Sequence, residues 1–414
     1  MQNLKDNTPL KILLISNHRR FKIYFRAYPW ARELAARGHD VDVMCHADTE
    51  RWKTKVERVE GFRIIENPDL LFGSLRQGWD PVCALRRRYF LFKEAKNYDI
   101  IHCLDTRPTV ILPALSYAKR NNTVIVSDWI DWWGRGGLIT ERRPWWYRQF
   151  FGWFEVFFEE YYRAKLHGLT AISQALVERG VTLGVPRQDC IVINGGADLN
   201  NFSQLPSQTD CKKALNIPIE SKVVCFSGLD VLIDLPLALE AFKILESNRQ
   251  NTLLLLVGPT KKDIPDAYKN LIDSGNIRLS GPIEPIPYKD LKNYLPAADL
   301  FMMPYTNKVS NIGRWPNKIG DYMCVGRPTV SNPIGEVKRL FEKYNIGKLA
   351  DPSAKAMAAE MDLLLSNKST AREMGNTARS VAEQKFHWPI LVESLEDWYY
   401  KIIANRNKAV TTES

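Results

Sequence analysis

Short apolar runs alternate with amphipathic stretches along most of the chain. The first apolar run covers residues 11–15 and the second covers 41–44, and an amphipathic stretch from about 29 to 37 between them ends at Gly38. A buried strand, a helix that ends at a glycine and a second buried strand form the βαβ unit of a parallel sheet. The pattern therefore predicts an α/β protein.

The same alternation continues and predicts two successive sheets. Further strands are expected over residues 62–65, 99–102, 124–126, 169–173 and 191–193, and then over 223–227, 252–257, 277–280 and 299–303. Helices are expected over residues 235–247, 288–297 and 388–403. Because the polar segment 200–209 separates the two series, we expect a linker there. The pattern predicts two Rossmann-like domains, 1–205 and 206–387, that face a central cleft, and a C-terminal helix and tail over 388–414.

Composition and charge narrow the class of protein. A length of 414 residues is too great for one ordinary core and favours two domains. The net charge is +10, and residues 1–200 hold 30 basic against 23 acidic side chains. This excess favours phosphate-bearing partners or an anionic membrane surface; since no nucleic-acid-binding motif accompanies it, we expect no nucleic acid partner. The seven cysteines are scattered, so we expect a cytoplasmic protein without disulfides or structural zinc. No apolar run reaches about 18 residues, so we expect no transmembrane helix.

A loop rich in carboxylates and tryptophans follows the predicted strand 124–126. Ligands of open α/β sheets bind beyond the carboxyl ends of strands, so this loop is a candidate site. Trp132 and Trp133 could stack on a sugar ring or pack together as a core cluster. For accepting or steering a proton we consider Asp131 first and then Asp128 and Asp105; the alternative is that each is a loop or helix-cap hydrogen-bond acceptor.

Two further stretches are basic or aromatic. Arg19, Arg20 and Lys22 follow the first predicted strand and could meet a phosphate on an acceptor, or could be solvated surface charges. Residues 142–162 are dense in tryptophan, phenylalanine and tyrosine, with basic residues at the front. They predict a helix with one strongly apolar face, which would lie either in a membrane interface or against the domain core.

The stretch 311–332 contains a candidate nucleotide site. Pro316 suits the first turn of a helix, which would run from about 317 to 324 and end before Gly326. Lys318 and Asp321 would then lie one turn apart. The ammonium group and the helix N–H groups could hold a diphosphate, and the carboxylate could accept ribose hydroxyls. The alternative is a proline-capped surface helix with solvated charges.

Several segments, in this order, resemble the family-4 type of the GT-B glycosyltransferases. They are AARGHDVDVM at 35–44, DIIH at 99–102, AIS at 171–173, NGGADLNNF at 194–202, LLLLVG at 253–258, LPAADLFMMP at 295–304 and PNKIGDYMCVGRPTV at 316–330. The resemblance covers nearly the whole chain and implies the GT-B fold, with the C-terminal helix crossing back to the N-terminal domain. It also implies retaining transfer from a nucleoside-diphosphate sugar, bound in the C-terminal domain, to an acceptor in the N-terminal domain, without a metal or other cofactor.

The resemblance assigns some donor-binding residues and leaves others open. Asp321 matches the second member of the family's acidic pair and would hold the ribose, whereas the first member falls on Gly313. The cationic pair that commonly grips the diphosphate is absent from 227–234. Neither the family's histidine after strand 124–126 nor its glycine-rich loop after the first strand is present. We expect that Lys318 and Arg314 replace the missing cationic pair, together with the helix start at Asn317.

The remaining donor-site expectations concern glycines and the nucleotide base. Gly228 ends the first strand of the donor domain, and the base should lie near Gly281 and Ile283. The resulting hypothesis is a cytoplasmic enzyme, peripheral at the inner face of the membrane, that acts on a lipid-linked or polysaccharide acceptor. The alternative is a catalytically degenerate protein that binds a sugar nucleotide or a partner without transfer.

Overall fold

The computed structural model describes residues 8–69, 78–94, 96–228, 231–280 and 286–413. The chain forms two compact units, one built from Met1–Gly195 with Trp388–Ser414 and the other from Gly196–His387. The first unit thus ends before the boundary that the sequence pattern placed at 205. The polar segment 200–209 belongs to the second unit, whose first helix begins within it at Gln208.

The first unit contains a sheet whose described strands are ordered β3-β4-β2-β1-β5-β6-β7-β8, all parallel except β3, which is antiparallel to β4. Its strands are β1 Lys11–Arg19, β2 Asp40–His46, β3 Lys55–Val59, β4 Phe62–Asn67, β5 Ile100–Leu104, β6 Val124–Trp129, β7 Leu169–Ala171 and β8 Cys190–Val192. Its helices before the second unit are α1 Ala27–Ala36, α2 Pro81–Glu94, α3 Pro108–Asn121, α4 Leu138–Arg142, α5 Trp145–Phe150, α6 Gly152–Tyr161 and α7 Gln174–Thr182.

Both faces of this sheet are covered, which explains why its central strands are apolar without alternation. In β1, Ile12 and Leu14 enter the core on one face, and Leu13 and Ile15 enter the core on the other. Side chains of a strand alternate between faces, so a strand that is buried on both sides needs apolar residues at successive positions.

The second unit contains a parallel sheet whose described strands are ordered β11-β10-β9-β12-β13-β14. Its strands are β9 Lys222–Ser227, β10 Thr252–Val257, β11 Ile277–Leu279, β12 Leu300–Met303, β13 Thr329–Ser331 and β14 Gly347–Leu349. Its helices are α8 Gln208–Ala214, α9 Val231–Asn248, α10 Lys269–Asp273, α11 Val309–Gly313, α12 Lys318–Val325, α13 Gly335–Lys343, α14 Ala354–Ser366 and α15 Lys368–Val381. Residues of β9, β10, α9 and α14 share one apolar core.

The last helix, α16 Trp388–Glu413, completes the core of the first unit. Val392, Leu395 and Ile402 are buried in the same cluster as the residues of α1 and β1. The hydroxyl of Tyr399 lies 2.7 Å from Nδ1 of the buried His102. The expectation that the C-terminal helix returns to the N-terminal domain is therefore confirmed.

The structure corrects three local predictions. Residues 142–162 do not form one helix: α5 ends at Phe150, Phe151 has φ −124°, and α6 starts at Gly152. Residues 288–297 form two 3-10 helices, Tyr288–Asn293 and Leu295–Ala297, instead of one α-helix. The first strand does not end at residue 15 as predicted: β1 continues to Arg19, and a 3-10 helix follows from Arg20 to Phe25.

Candidate active site

The first unit contains a cavity of about 240 Å³ at the carboxyl ends of its central strands. Its walls come from the ends of β1, β5 and β6, from the loop after β6, and from α6. Of the side chains predicted to be functional, five line this cavity: Lys22, Asp105, Asp128, Asp131 and Trp133. The prediction of a site beyond the strand ends therefore corresponds to a real concave surface.

Asp128 is not available as a free base. Arg26 donates to both of its carboxylate oxygens, at 2.6 and 2.7 Å, and Thr170 Oγ1 donates to Oδ1 at 2.6 Å. Burial alone would raise the pKa of Asp128, but the Arg26 guanidinium holds it below its usual range. The Asp128 carboxylate therefore forms a buried structural ion pair with Arg26, in place of the predicted catalytic role.

Asp105 likewise has its oxygens occupied. Oδ1 accepts from the backbone N–H of Thr106 at 2.5 Å and of Arg107 at 3.2 Å, and Oδ2 accepts from Asn17 Nδ2 at 2.7 Å. These bonds close the turn that leads into α3, whose N-cap is Arg107, so Asp105 has the loop hydrogen-bond role considered as the alternative. The third predicted carboxylate, Asp131, is half-buried and lines the cavity.

The two predicted tryptophans take different positions. Trp133 lines the cavity, and the guanidinium groups of Arg107 and Arg143 lie 5.1 and 5.7 Å from its ring centroid. Trp132 does not belong to this lining; its indole N–H donates to the Arg135 carbonyl at 3.0 Å and Arg179 lies 4.3 Å above its ring. Of the two predicted tryptophans, Trp133 is the one placed to contact a ligand in the cavity.

The predicted phosphate-binding cations also separate. Lys22 lines the cavity, whereas neither Arg19 nor Arg20 is among the described residues that do so. The Nε atom of Arg20 lies 3.7 Å from Glu66, and its guanidinium lies over the rings of Tyr24 and Tyr28. The structure gives Arg20 a local partner in place of the acceptor role predicted for it.

Glu159 was not predicted and is the most distinctive group in the cavity. It is buried, Oε1 accepts from Trp129 Nε1 at 3.1 Å, and Oε2 has no hydrogen-bond partner within the described residues. Burial raises the pKa of Glu159 to about 7, with Arg163 and Arg179 opposing that rise. In the sequence, Glu159 is one of several acidic residues among the aromatic residues of 142–162. The sequence does not indicate which of these acidic side chains face the cavity.

Helix α6 has two chemically distinct faces. Glu155, Phe158 and Glu159 are buried and line the cavity. The opposite face exposes aromatic rings, with Trp153 65% and Phe157 40% accessible. The hydroxyl of Tyr147 in α5 donates to Glu155, which joins the two helices.

In the second unit, Lys318 lies at the carboxyl end of β9. Gly228 follows β9 with φ +139°, and a Cβ placed on it would lie 2.9 Å from Lys318 Nζ. Gly258 follows β10 with φ +109°, and a Cβ there would lie 2.9 Å from the Gly228 carbonyl oxygen. The ends of β9 and β10 therefore lie close to the Lys318 ammonium, and the backbone there has conformations that only glycine adopts without strain.

Helix α12 begins one residue later than predicted, at Lys318, and ends at Val325; Gly326 follows as its C-cap with φ +72°, as expected for a glycine at this position. Asn317 stands at its N-cap, exposed and without a side-chain cap bond. Arg314, however, forms an ion pair with a carboxylate: its NH2 group lies 3.0 Å from Oδ2 of Asp234, in the first turn of α9. It is therefore a weaker diphosphate candidate than Lys318.

Asp321 lies one turn after Lys318 and is hydrogen-bonded by Tyr288, whose hydroxyl donates to Oδ1 at 2.8 Å. Burial raises the pKa of Asp321 to about 7, the Tyr288 hydrogen bond opposes the rise, and the nearby Asp198 adds to it. Gly281 and Ile283, where the nucleotide base was expected, lie outside the described residues.

Over the described ranges the structure has neither a cluster of metal-ligating side chains nor a helix able to cross a membrane. No group of three or more His, Cys, Asp or Glu side chains in them is arranged to hold a metal ion. Of the helices in the part of the chain that the structure describes, none has the length and apolar character needed to cross a membrane.

Two family models match this chain. The model described as Glycosyltransferase Family 4 matches residues 26–201, and the model described as Glycosyl transferases group 1 matches residues 207–381. Comparison with curated proteins gave no match.

Solved structures that are similar over nearly the whole chain include the following three. Sucrose-phosphate synthase from Thermosynechococcus elongatus superposes with a TM-score of 0.70 at 18% identity, covering 96% of this chain and 100% of that one. Anabaena HepE, solved in complex with UDP and glucose, gives 0.67 at 16% identity, covering 94% and 98%. WaaG, a glycosyltransferase involved in lipopolysaccharide biosynthesis, gives 0.63 at 15% identity, covering 92% and 98%. At these identities the likeness shows a shared fold.

Proposed function

The chain belongs to the family-4 type of GT-B glycosyltransferases, and from that premise we propose that it transfers a sugar from a nucleoside-diphosphate sugar to a lipid-linked acceptor. The second unit would bind the donor and the cavity of the first unit would bind the acceptor. The enzyme would work at a membrane surface and retain the configuration of the transferred sugar.

The donor proposal rests on the end of β9 and the start of α12. Departure of a nucleoside diphosphate builds negative charge on its β-phosphate, which a positioned cation and helix N–H groups stabilise. Lys318 is the cation at this position, and the two glycines allow the backbone to approach a phosphate closely. Asp321 lies one turn further along and would accept the ribose hydroxyls. HepE, similar in fold, was solved with UDP-glucose, which agrees with a donor of this class.

The single observation that carries the acceptor proposal is the division of α6 into two faces. One face supplies Glu155, Phe158 and Glu159 to the polar cavity, and the other exposes Trp153 and Phe157 to the surroundings. An acceptor with a polar sugar head and an apolar tail needs both environments within about one helix diameter, which is roughly 10 Å. A soluble sugar acceptor would need only the cavity.

The exposed aromatic surface of α5 and α6 has the composition of a membrane interface. Its largest exposed members are Trp145 at 66%, Phe150 at 67% and Trp153 at 65% accessible. Arg148 and Lys165 are exposed cations of the same region. Aromatic rings favour the headgroup level of a bilayer and cations favour anionic lipids, so the surface fits peripheral binding to an anionic membrane.

The transfer proposal is tested with radiolabelled nucleoside-diphosphate sugars and total bacterial lipid in detergent micelles. We expect label from at least one donor to enter the organic-solvent-soluble fraction. Label that enters only water-soluble glycan would overturn the lipid-linked acceptor. Binding of donors without turnover across the whole panel would overturn transfer and favour a non-catalytic binding protein.

The membrane proposal is tested by co-sedimentation with vesicles of phosphatidylcholine and phosphatidylglycerol. Burying a large aromatic side chain contributes about 1.5–3 kcal/mol, so Trp145→Ser with Trp153→Ser should weaken binding at least about tenfold. Trp52→Ser is the matched control, because Trp52 is 72% exposed in the same unit but outside this surface. Equal binding by the double variant and the control would exclude the aromatic surface as the contact.

A further inference from the structure

The second unit has a basic cavity of about 470 Å³ at the amino ends of its central strands. Its walls come from the segments that lead into β9, β12 and β13, and from α8, α14 and α15. The acidic side chains of this lining are Glu220 and Asp299. Five cations stand against them: Lys212, Lys222, Arg327, Lys368 and Arg372. The cavity therefore attracts anions.

Two of the five cations have partners inside the unit. Nζ of Lys212 lies 3.3 Å from Asp299 Oδ2 and donates to the Ser221 carbonyl at 2.8 Å. Nζ of Lys222 lies 3.6 Å from Asp299 Oδ1. Because these two lysines neutralise Asp299, the positive character of the cavity depends on the other three cations.

Those three cations, Arg327, Lys368 and Arg372, form no ion pair with any residue that the structure describes. Arg327 is half-buried; its Nε donates to the Ala298 carbonyl at 3.0 Å, and NH1 lies 3.4 Å from the Gly326 carbonyl. Burial lowers the pKa of Arg327, and Asp299 opposes this shift. Backbone carbonyls thus hold the guanidinium in place, and its NH2 group is left for another acceptor.

Lys368 and Arg372 lie one turn apart at the start of α15, and Lys368 is the first residue of that helix. Like charges at this spacing repel each other, and cations are unfavourable at the positive end of a helix dipole. The first turn of α15 contains no acidic residue that would offset them. A bound anion would relieve both effects, since the two side chains and the helix N–H groups all attract it.

We propose that this cavity binds a small phosphate-bearing molecule, at a site separate from the donor site. Arginine and lysine are the side chains best suited to phosphate oxygens, and the volume falls within the range of about 300–1,000 Å³ that is usual for small-molecule sites. The six residues of β9 run from this cavity to Gly228, beside Lys318, so the two sites lie about 20 Å apart. The proposal goes beyond sugar transfer and does not depend on it.

Calorimetry in a buffer without phosphate tests the site, with inorganic phosphate, pyrophosphate and glucose 6-phosphate as probes. We expect the parent protein to bind at least one probe with a Kd of about 1 mM or tighter. Lys368→Ser with Arg372→Ser removes two exposed cations and should weaken this binding about tenfold or more. Binding of all three probes would show that the phosphate group suffices, whereas binding of glucose 6-phosphate alone would identify a sugar phosphate as the ligand.

Two control variants separate this site from general charge and from the donor site. Lys338→Ser with Arg339→Ser removes the same charge from exposed residues of the same unit and should leave the Kd within about twofold of the parent. Lys318→Met, which changes the proposed donor site, should also bind as the parent does. Failure of the parent to bind any probe, equal losses in the two double variants, or a loss confined to Lys318→Met would each overturn the proposal. A parent that binds phosphate here but transfers no sugar would contradict the proposed function alone.

Discussion

Replacing Lys318 by methionine is the most direct test of the donor site. The sequence lacks the cationic pair that family-4 enzymes commonly use for the diphosphate, and the structure places the Lys318 ammonium at the end of β9 beside Gly228. Methionine keeps most of the apolar stem and removes the ammonium group, whose Nζ lies 4.5 Å from the centroid of the Phe226 ring. The substitution therefore removes the charge and changes the packing little.

The expected loss follows from the position of the ammonium. A hydrogen bond to a charged group contributes about 1.5–3 kcal/mol when its partner is not fully solvated. Lys318 is half-buried, so we take about 2 kcal/mol, which corresponds to about a thirtyfold weaker Kd for a nucleoside diphosphate. Because the term is electrostatic, the difference between parent and variant should shrink as ionic strength rises.

Isothermal titration calorimetry with UDP, GDP and ADP measures this loss in the free protein. Lys338→Met is the matched control, since Lys338 is an exposed lysine of the same unit whose ion pair with Glu342 spans 3.8 Å. A Kd for Lys318→Met within about twofold of the control would remove Lys318 from the phosphate site. A melting temperature close to that of the parent would show that a measured loss does not come from unfolding.

Two further predictions concern buried charge. Because burial raises the pKa of Asp321 to about 7, its carboxylate forms as pH rises through neutrality, and the affinity of the parent protein for nucleotide should increase over that range. In calorimetry, Asp321→Asn should bind nucleotide without this increase. An unchanged pH dependence in the variant would contradict the ribose role of Asp321. Arg26→Met would leave Asp128 buried without its partner, so urea unfolding should show a loss of about 3–5 kcal/mol. The control Arg32→Met, which breaks a more exposed pair with Glu33, should lose less than about 1 kcal/mol, and an equal loss in both would contradict the reasoning.

The fold could be predicted wherever strands are buried on both faces. Lys11–Arg19 and Thr252–Val257 have near-continuous apolar cores, and that pattern has few other interpretations. Lys55–Val59 was missed because it is an edge strand that carries charged, mostly exposed side chains. Gly347–Leu349 was missed because it is only three residues long. Hydrophobic periodicity reveals a strand only when enough of its side chains are buried, and neither of these two strands has enough buried side chains.

The candidate site could be predicted by location more than by residue. The predicted helix start at Asn317 led to Lys318, and the rule that ligands bind at strand carboxyl ends led to the cavity around Asp131. It could not show that Arg26, distant in sequence, would occupy both oxygens of Asp128. It also could not show that the helix is interrupted at Phe151, so that a separate helix, α6, follows and its Glu159 lines the cavity. Such contacts depend on tertiary packing, which no local pattern contains.

The return of α16 to the first unit has a consequence for biosynthesis. Residues Gly196–His387 form a unit from one uninterrupted segment, whereas the first unit needs Val392, Leu395 and Tyr399 to fill its core. During translation the second unit can therefore fold while the first unit still lacks part of its interior. A nascent chain stalled before residue 388 would present β1 and α1 with an uncovered apolar surface to chaperones, although most of its sequence would already have been made.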